Sequence, residues 1–214
     1  MRPGTHWRPA QGEPTVTVLL RHGQTPMSVQ QRYAGRSEAP LTDAGVHQAA
    51  AAAKRLASAS LGVIVTSPLL RTVQTAQEVA AVTGAAVVTD DGFRETDFGA
   101  WEGLTFAEVR ERWSAELAAW LADPAVAPPA GESFTEVSAR VTAALHRVLA
   151  ARTGQTVLIV SHVTPIKTLV AAALLAPPAA LYRMHLDVAA LCQIDWYADG
   201  PAVLRSFNDT SHLS

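Results

Sequence analysis

The sequence predicts an α/β chain, a three-layer α/β/α sandwich around a mostly parallel, mixed sheet. Three observations point to that class. Short apolar runs rich in β-branched residues recur at 16–20, 63–65, 86–88 and 157–160. Longer Ala-rich stretches of high helix propensity separate them. Charged and turn-forming residues stand where each run hands over to the next helical stretch, the place where open α/β sheets build active sites.

Taken in order, the first strand covers residues 15–20 and leads into a loop through Arg36. Thr42 opens a helix that runs to about residue 58. The second strand is 61–66, and a helix follows over 68–83 with Ser67 as N-cap, Pro68 at its first position and Gly84 as its stop. The third strand covers 86–89. Two long helices, 105–121 and 133–151, bracket a Pro-rich loop at 123–131, expected to lie over the site within a lid spanning about 104–135. The fourth strand is 156–160, and a helix runs from Pro165 to about residue 175. Residues 191–197 and 203–207 form an edge hairpin, an edge on which a homodimer can be built.

Composition fits a single core. The chain has 214 residues, 49% of them hydrophobic, and its net charge of −2 offers no general attraction to nucleic acid, so any phosphate affinity is local. One cysteine, Cys192, excludes an internal disulfide, and its apolar neighbours make it a buried structural thiol. Residues 1–14, with Pro3, Gly4, Pro9, Gly12 and Pro14, read as a flexible leader or linker without a signal peptide. The longest apolar run, 169–176, follows Lys167 and is too short to cross a bilayer, so a cytoplasmic setting is the expectation.

Five residues at strand-to-helix junctions can converge on one anion. Arg21 and His22 end the first apolar run, Arg71 opens a helix, Glu95 follows the third strand, and His162 ends the fourth. An Arg grips a phosphate through paired hydrogen bonds, and a neutral imidazole beside it can attack phosphorus. The alternative reading of each is an ordinary charged loop residue. No His, Cys, Asp or Glu pair has convincing metal spacing, and the chemistry needs neither metal nor cofactor. His47, His146 and His185 read as surface residues. Trp113, Leu117 and Trp120 share a helical spacing that fits either a core face or an apolar wall for an aromatic leaving group.

In several stretches the chain resembles the histidine phosphatases, the phosphoglycerate-mutase-like superfamily. These are Leu20-Arg21-His22-Gly23-Gln24-Thr25, Pro40-Leu41-Thr42-Asp43-Ala44-Gly45 with Gln48-Ala49, and Thr66-Ser67-Pro68 through Arg71-Thr72 with Gln74-Thr75-Ala76. Arg94-Glu95, Phe98-Gly99, Trp101-Glu102-Gly103, Gly131-Glu132-Ser133 and Val160-Ser161-His162 continue the likeness in order, over roughly residues 15 to 209. The resemblance implies His22 as nucleophile through a phosphohistidine and Glu95 as general acid and base, with Asp97 in a supporting role. It implies Arg21, Arg71 and His162, the last as an imidazolium, around the phosphoryl oxygens. Ser28 stands where relatives have a phosphate-contacting Asn, and Val163 opens the turn that offers a backbone contact.

The resemblance also separates two activities. Mutases of this family follow the acid with Arg-His-Tyr, which holds a substrate carboxylate. Here Thr96-Asp97-Phe98 stands in that place, where an Asp would repel a carboxylate and no cation is left to bind it. The segment 97–105 looks like the phosphatase branch, particularly the α-ribazole phosphatases. The start, the 161–167 segment and the ending 206–213 resemble the C-terminal acid-phosphatase domain of actinobacterial proteins that also carry an N-terminal ribonuclease H domain. A small phosphorylated metabolite is the expected partner, with no nucleic acid or membrane. Arg32 and Arg36 either contact a second anionic group or face solvent.

Overall fold

The computed structural model describes residues 12–214, so all but the last three residues of the expected leader lie outside the described residues. The strands are β1 (Thr15–Arg21), β2 (Leu61–Thr66), β3 (Val87–Thr89), β4 (Thr156–Ser161), β5 (Leu191–Trp196) and β6 (Ala202–Asp209). The helices are α1 (Pro26–Val29), α2 (Asp43–Leu56), α3 (Leu70–Thr83), α4 (Phe106–Arg112), α5 (Ser114–Ala122), α6 (Phe134–Ala151) and α7 (Val163–Ala173).

The strands form one six-stranded sheet in the order β3-β2-β4-β1-β5-β6. β1, β2, β3 and β4 pair in parallel, while β5 and β6 add an antiparallel hairpin at one edge. The period-2 alternation of side chains along each strand builds the layers. Leu19, Val63, Val65, Val157 and Ile159 pack against Val141 and Leu145 of α6 and Leu169 of α7. Their neighbours Val18, Leu20, Ile64, Leu158 and Val160 face the other way, onto Ala52 and Leu56 of α2 and Val79 of α3. Both sheet faces are covered, which is why these strands read as continuous apolar runs.

A third apolar cluster lies outside this sandwich. Phe98, Trp101, Val109, Leu117, Trp120, Phe134 and Leu181 form it, so the 104–135 region carries a small core of its own.

The sequence expectation holds for the sheet and needs correction at three helices. The expected helix 105–121 is two helices: α4 and α5 meet at Trp113, whose backbone (φ −136°, ψ 51°) is not helical. α3 begins at Leu70 rather than Pro68, and Ser67 is not its N-cap; Leu69 holds that position without a side-chain bond. α7 begins at Val163, which leaves Pro165 inside the first turn, where the missing N–H has no intrahelical partner to lose. Thr42 caps α2 as expected, its hydroxyl accepting from the Gly45 N–H at 3.0 Å. The short α1 was not expected; a capping box between Thr25 and Ser28 makes it.

Candidate active site

The carboxyl ends of the parallel strands converge on a cavity of about 330 Å³. Parallel pairing of Arg21 with Ser161, and of Thr66 with Val160, brings β1, β2 and β4 to a common end. Immediately beyond it the chain turns sharply. Gly23 and Gly45 pack backbone to backbone there, and a Cβ on either would fall on a carbonyl oxygen, of Gly45 or Gln24 respectively. The Gly23 N–H donates to Thr75 Oγ1 (3.2 Å) and the Gln24 N–H to Gln48 Oε1 (2.8 Å). Several motif residues on α2 and α3 thus act by fixing the loop that carries His22.

His22 is almost wholly buried yet lines the cavity. Its Nδ1 lies 2.8 Å from the Gly23 carbonyl oxygen, which can only accept. The proton is therefore on Nδ1, and Nε2 carries a bare lone pair. Burial, followed by the charges of Arg71 and Arg21, holds the imidazole well below its ordinary value, so it is neutral.

Arg21 also lines the cavity. Its Nη1 donates to the Leu186 carbonyl at 2.6 Å, while its buried Nε has no hydrogen-bond partner among the described residues. Burial lowers its pKa to about 10, so it stays charged at neutral pH.

Arg71 and His162 sit beside His22 but not on the cavity wall. Both are completely buried, and the two imidazole centroids are 5.2 Å apart. Arg71 Nε donates to His162 Nδ1 (3.3 Å), while its Nη1 and Nη2 hold the carbonyls of Ser37 (2.6 Å), Ala34 (2.9 Å) and Gly35 (2.9 Å). That leaves one Nη1 N–H. His162 Nε2 in turn donates to Ser67 Oγ at 2.8 Å, which is the use the structure finds for the expected helix cap. The expectation of an imidazolium is corrected: burial and then Arg71 push His162 far down, and its Nδ1 is an acceptor.

Glu95 is buried at the N-terminus of α7. Its Oε2 accepts from the Val163 N–H (3.0 Å), and its Oε1 from the N–H groups of Thr96 (2.8 Å) and Thr164 (3.3 Å). Val163 lines the cavity, and its N–H is already engaged by Glu95. Ser28 lines it too, but its hydroxyl donates to the Thr25 carbonyl at 2.8 Å inside the α1 cap. Asp97 does not line the cavity: Oδ1 accepts from the Gly99 N–H (2.9 Å) and Oδ2 pairs with Arg36 (2.8 Å).

Sequence reasoning missed five contributors. Arg140 of α6 pairs with Glu132 (2.7 Å) and donates to the carbonyls of Gly92, Arg94 and Glu95, pinning the Glu95 loop. Glu102 accepts from the Gly35 and Ser37 N–H groups and shapes the loop that Arg71 holds. Lys167 reaches the cavity from α7, and Tyr33 and Tyr182 join Phe98, Trp120 and Phe134 as its aromatic lining. Side chains so far apart in sequence gave no local pattern. The readable hint was Lys167, four residues after Val163 and hence on the same helix face.

Residues 17–210 match the model of the histidine phosphatase superfamily, branch 1. The chain belongs to that family. Among its relatives it is 48% identical over 208 residues to the Bifunctional protein Rv2228c of Mycobacterium tuberculosis, covering 97% of this chain but only 57% of that protein's length. It is 35% identical over 204 residues to the probable phosphoglycerate mutase GpmB of Proteus mirabilis (92% of this chain, 94% of that one). Of solved structures, mycobacterial glucosyl-3-phosphoglycerate phosphatase Rv2419c, in a complex with VO3, superposes with a TM-score of 0.84 at 31% identity (92% and 100% covered). A putative α-ribazole-5'-P phosphatase from Escherichia coli does so with a TM-score of 0.84 at 27% identity (92% and 97%).

Proposed function

We propose that this domain is a phosphomonoester hydrolase working through a phosphohistidine on His22. The observation that carries the reading is the state of that side chain, a neutral imidazole whose Nδ1–H is fixed on the Gly23 carbonyl at a cavity bordered by Arg21 and Glu95. Attack by Nε2 forms a P–N bond as the ester P–O bond breaks, and Glu95 gives the departing alkoxide its proton. The Glu95 carboxylate then takes a proton from water as the water's oxygen attacks phosphorus and the P–N bond breaks. Arg21 supplies N–H donors and positive charge to the phosphoryl oxygens, its partnerless Nε among them. Arg71 and His162 stand behind the nucleophile: burial and then the charge of Arg71 keep His22 neutral, and Arg71 also holds the 34–37 loop, its remaining Nη1 N–H being its route to a phosphoryl oxygen.

The reading favours hydrolysis over the mutase activity named for the GpmB relative, because Thr96-Asp97-Phe98 stands after the acid in place of the Arg-His-Tyr of the family's mutases and the superposed structures carry phosphatase names. Within hydrolysis, the aromatic lining supports α-ribazole 5'-phosphate, and the length of Rv2228c supports a second domain in the full protein. The test is hydrolysis of p-nitrophenyl phosphate by the protein and by His22→Ala, with acid-quenched turnover of a 32P-labelled ester. Label on the wild-type imidazole and loss of activity in the variant are expected. Equal rates in the two proteins would leave a phosphate-binding module without catalysis.

A further inference from the structure

Contrary to the expectation from Thr96-Asp97-Phe98, the cavity holds a cation for a carboxylate and Asp97 does not face it. Asp97 is turned onto Arg36 and Gly99, off the cavity wall. Lys167 is on that wall.

Among the described residues three cations line the cavity, and two are accounted for. Arg21 adjoins the nucleophile and belongs to the phosphoryl group. Arg32 is occupied in structure: its Nη1 donates to the Gly103 carbonyl (2.7 Å) and pairs with Glu108 (3.0 Å), while its Nε donates to Gln30 (2.9 Å). Lys167 differs. Its one hydrogen bond among the described residues is a long contact to the Leu181 carbonyl, 3.4 Å, and it has no carboxylate within ion-pair distance. Burial lowers its pKa, opposed by the nearby charge of Glu95.

Position decides which part of a substrate it meets. Val163 and Thr164 hold the Glu95 carboxylate with their N–H groups, and Lys167 stands one turn further along the same face of α7. Glu95 faces the ester oxygen that leaves, so Lys167 faces the alcohol rather than the phosphorus. Among the described residues Glu95 is the sole carboxylate lining the cavity, and backbone N–H groups hold both of its oxygens. A second phosphoryl group would call for several converging donors, whereas one ammonium balances one carboxylate.

We propose that Lys167 is a specificity-determining residue that binds a carboxylate on the alcohol part of the substrate. The inference rests on the phosphomonoesterase reading and departs from it in the substrate: phosphorylated hydroxy acids are preferred over esters of alcohols without a carboxylate, α-ribazole 5'-phosphate included.

O-phosphoserine and O-phosphoethanolamine differ only by the carboxylate and make the probe pair. The ratio of their kcat/KM values is measured for the wild-type protein, Lys167→Met and Lys167→Arg. A charge-assisted contact predicts about tenfold or greater preference for phosphoserine in the wild type. The preference falls to about one in Lys167→Met and is largely kept in Lys167→Arg. A wild-type ratio near one, or a ratio that Lys167→Met leaves unchanged while both rates fall together, overturns the proposal and makes Lys167 an electrostatic neighbour of Glu95. If neither these esters nor p-nitrophenyl phosphate is hydrolysed, the phosphatase reading fails. The same ratio, taken then from calorimetric dissociation constants, still decides the role of Lys167.

Discussion

Two imidazoles buried side by side make the stability of this domain depend on pH in a calculable way. His22 and His162 are held neutral, first by burial and then by the charge of Arg71, with values well below the ordinary 6.5. In the unfolded chain both titrate near that ordinary value. Acidification therefore protonates the unfolded chain and not the native one. Stability is full above the unfolded value and is lost as pH falls below it, toward the depressed native values. For a group whose native imidazole stays neutral over the interval the loss is RT ln(1 + 10^(6.5 − pH)), which grows by about 1.3 kcal/mol between about pH 7 and about pH 5.5. For the pair the loss is about 2.5 kcal/mol. The perturbation that isolates it is the double variant His22→Asn/His162→Asn, which keeps hydrogen-bonding groups and removes both titrations. Urea unfolding at the two pH values gives the difference. The wild type should lose about 2.5 kcal/mol more than the variant over that interval. Other groups, including His212 with its own lowered value, are common to both proteins and subtract out. Equal losses in the two proteins would refute the buried neutral pair, and with it the account of why His22 is nucleophilic.

Three further outcomes follow from the same geometry. Glu95→Gln should cost about a hundred- to ten-thousandfold in the rate of phosphohistidine formation from an alkyl phosphate and about tenfold or less from p-nitrophenyl phosphate, whose leaving group needs no proton; equal losses in single-turnover phosphorylation rates would remove Glu95 as the acid. Arg140→Met frees the Glu95 loop and strands Glu132, with an expected cost of about 2–3 kcal/mol in denaturant unfolding, less than for a fully buried pair because both side chains keep some exposure. Its kcat should fall more than its KM changes. Gly45→Ala places a methyl group on the Gln24 carbonyl, so thermal unfolding should show a loss of about 1–3 kcal/mol, and the displaced loop should lower kcat.

The sheet was legible because its strands are covered on both faces, which leaves unbroken β-branched runs in the sequence. Helix starts were less so. Ser67-Pro68 has the composition of a cap, yet the Ser67 hydroxyl is drawn to His162, a partner 95 residues away that no local rule contains. The split at Trp113 comes from a lid core of its own, set by Phe98, Phe134 and Leu181 rather than by the propensity of residues 105–121.

By itself the sequence determined which residues arrive at the strand ends: Arg21, His22, Glu95 and His162 are delivered by strand order and short connections. Only the tertiary structure decided what each does there. It turned Asp97 away onto Arg36, closed Ser28 into a cap, set Arg71 behind His22 and brought Lys167 into the cavity. The physical reason is that hydrophobic periodicity is local and repeats along the chain. Charge state and hydrogen-bond partnership are instead fixed by burial and by neighbours distant in sequence.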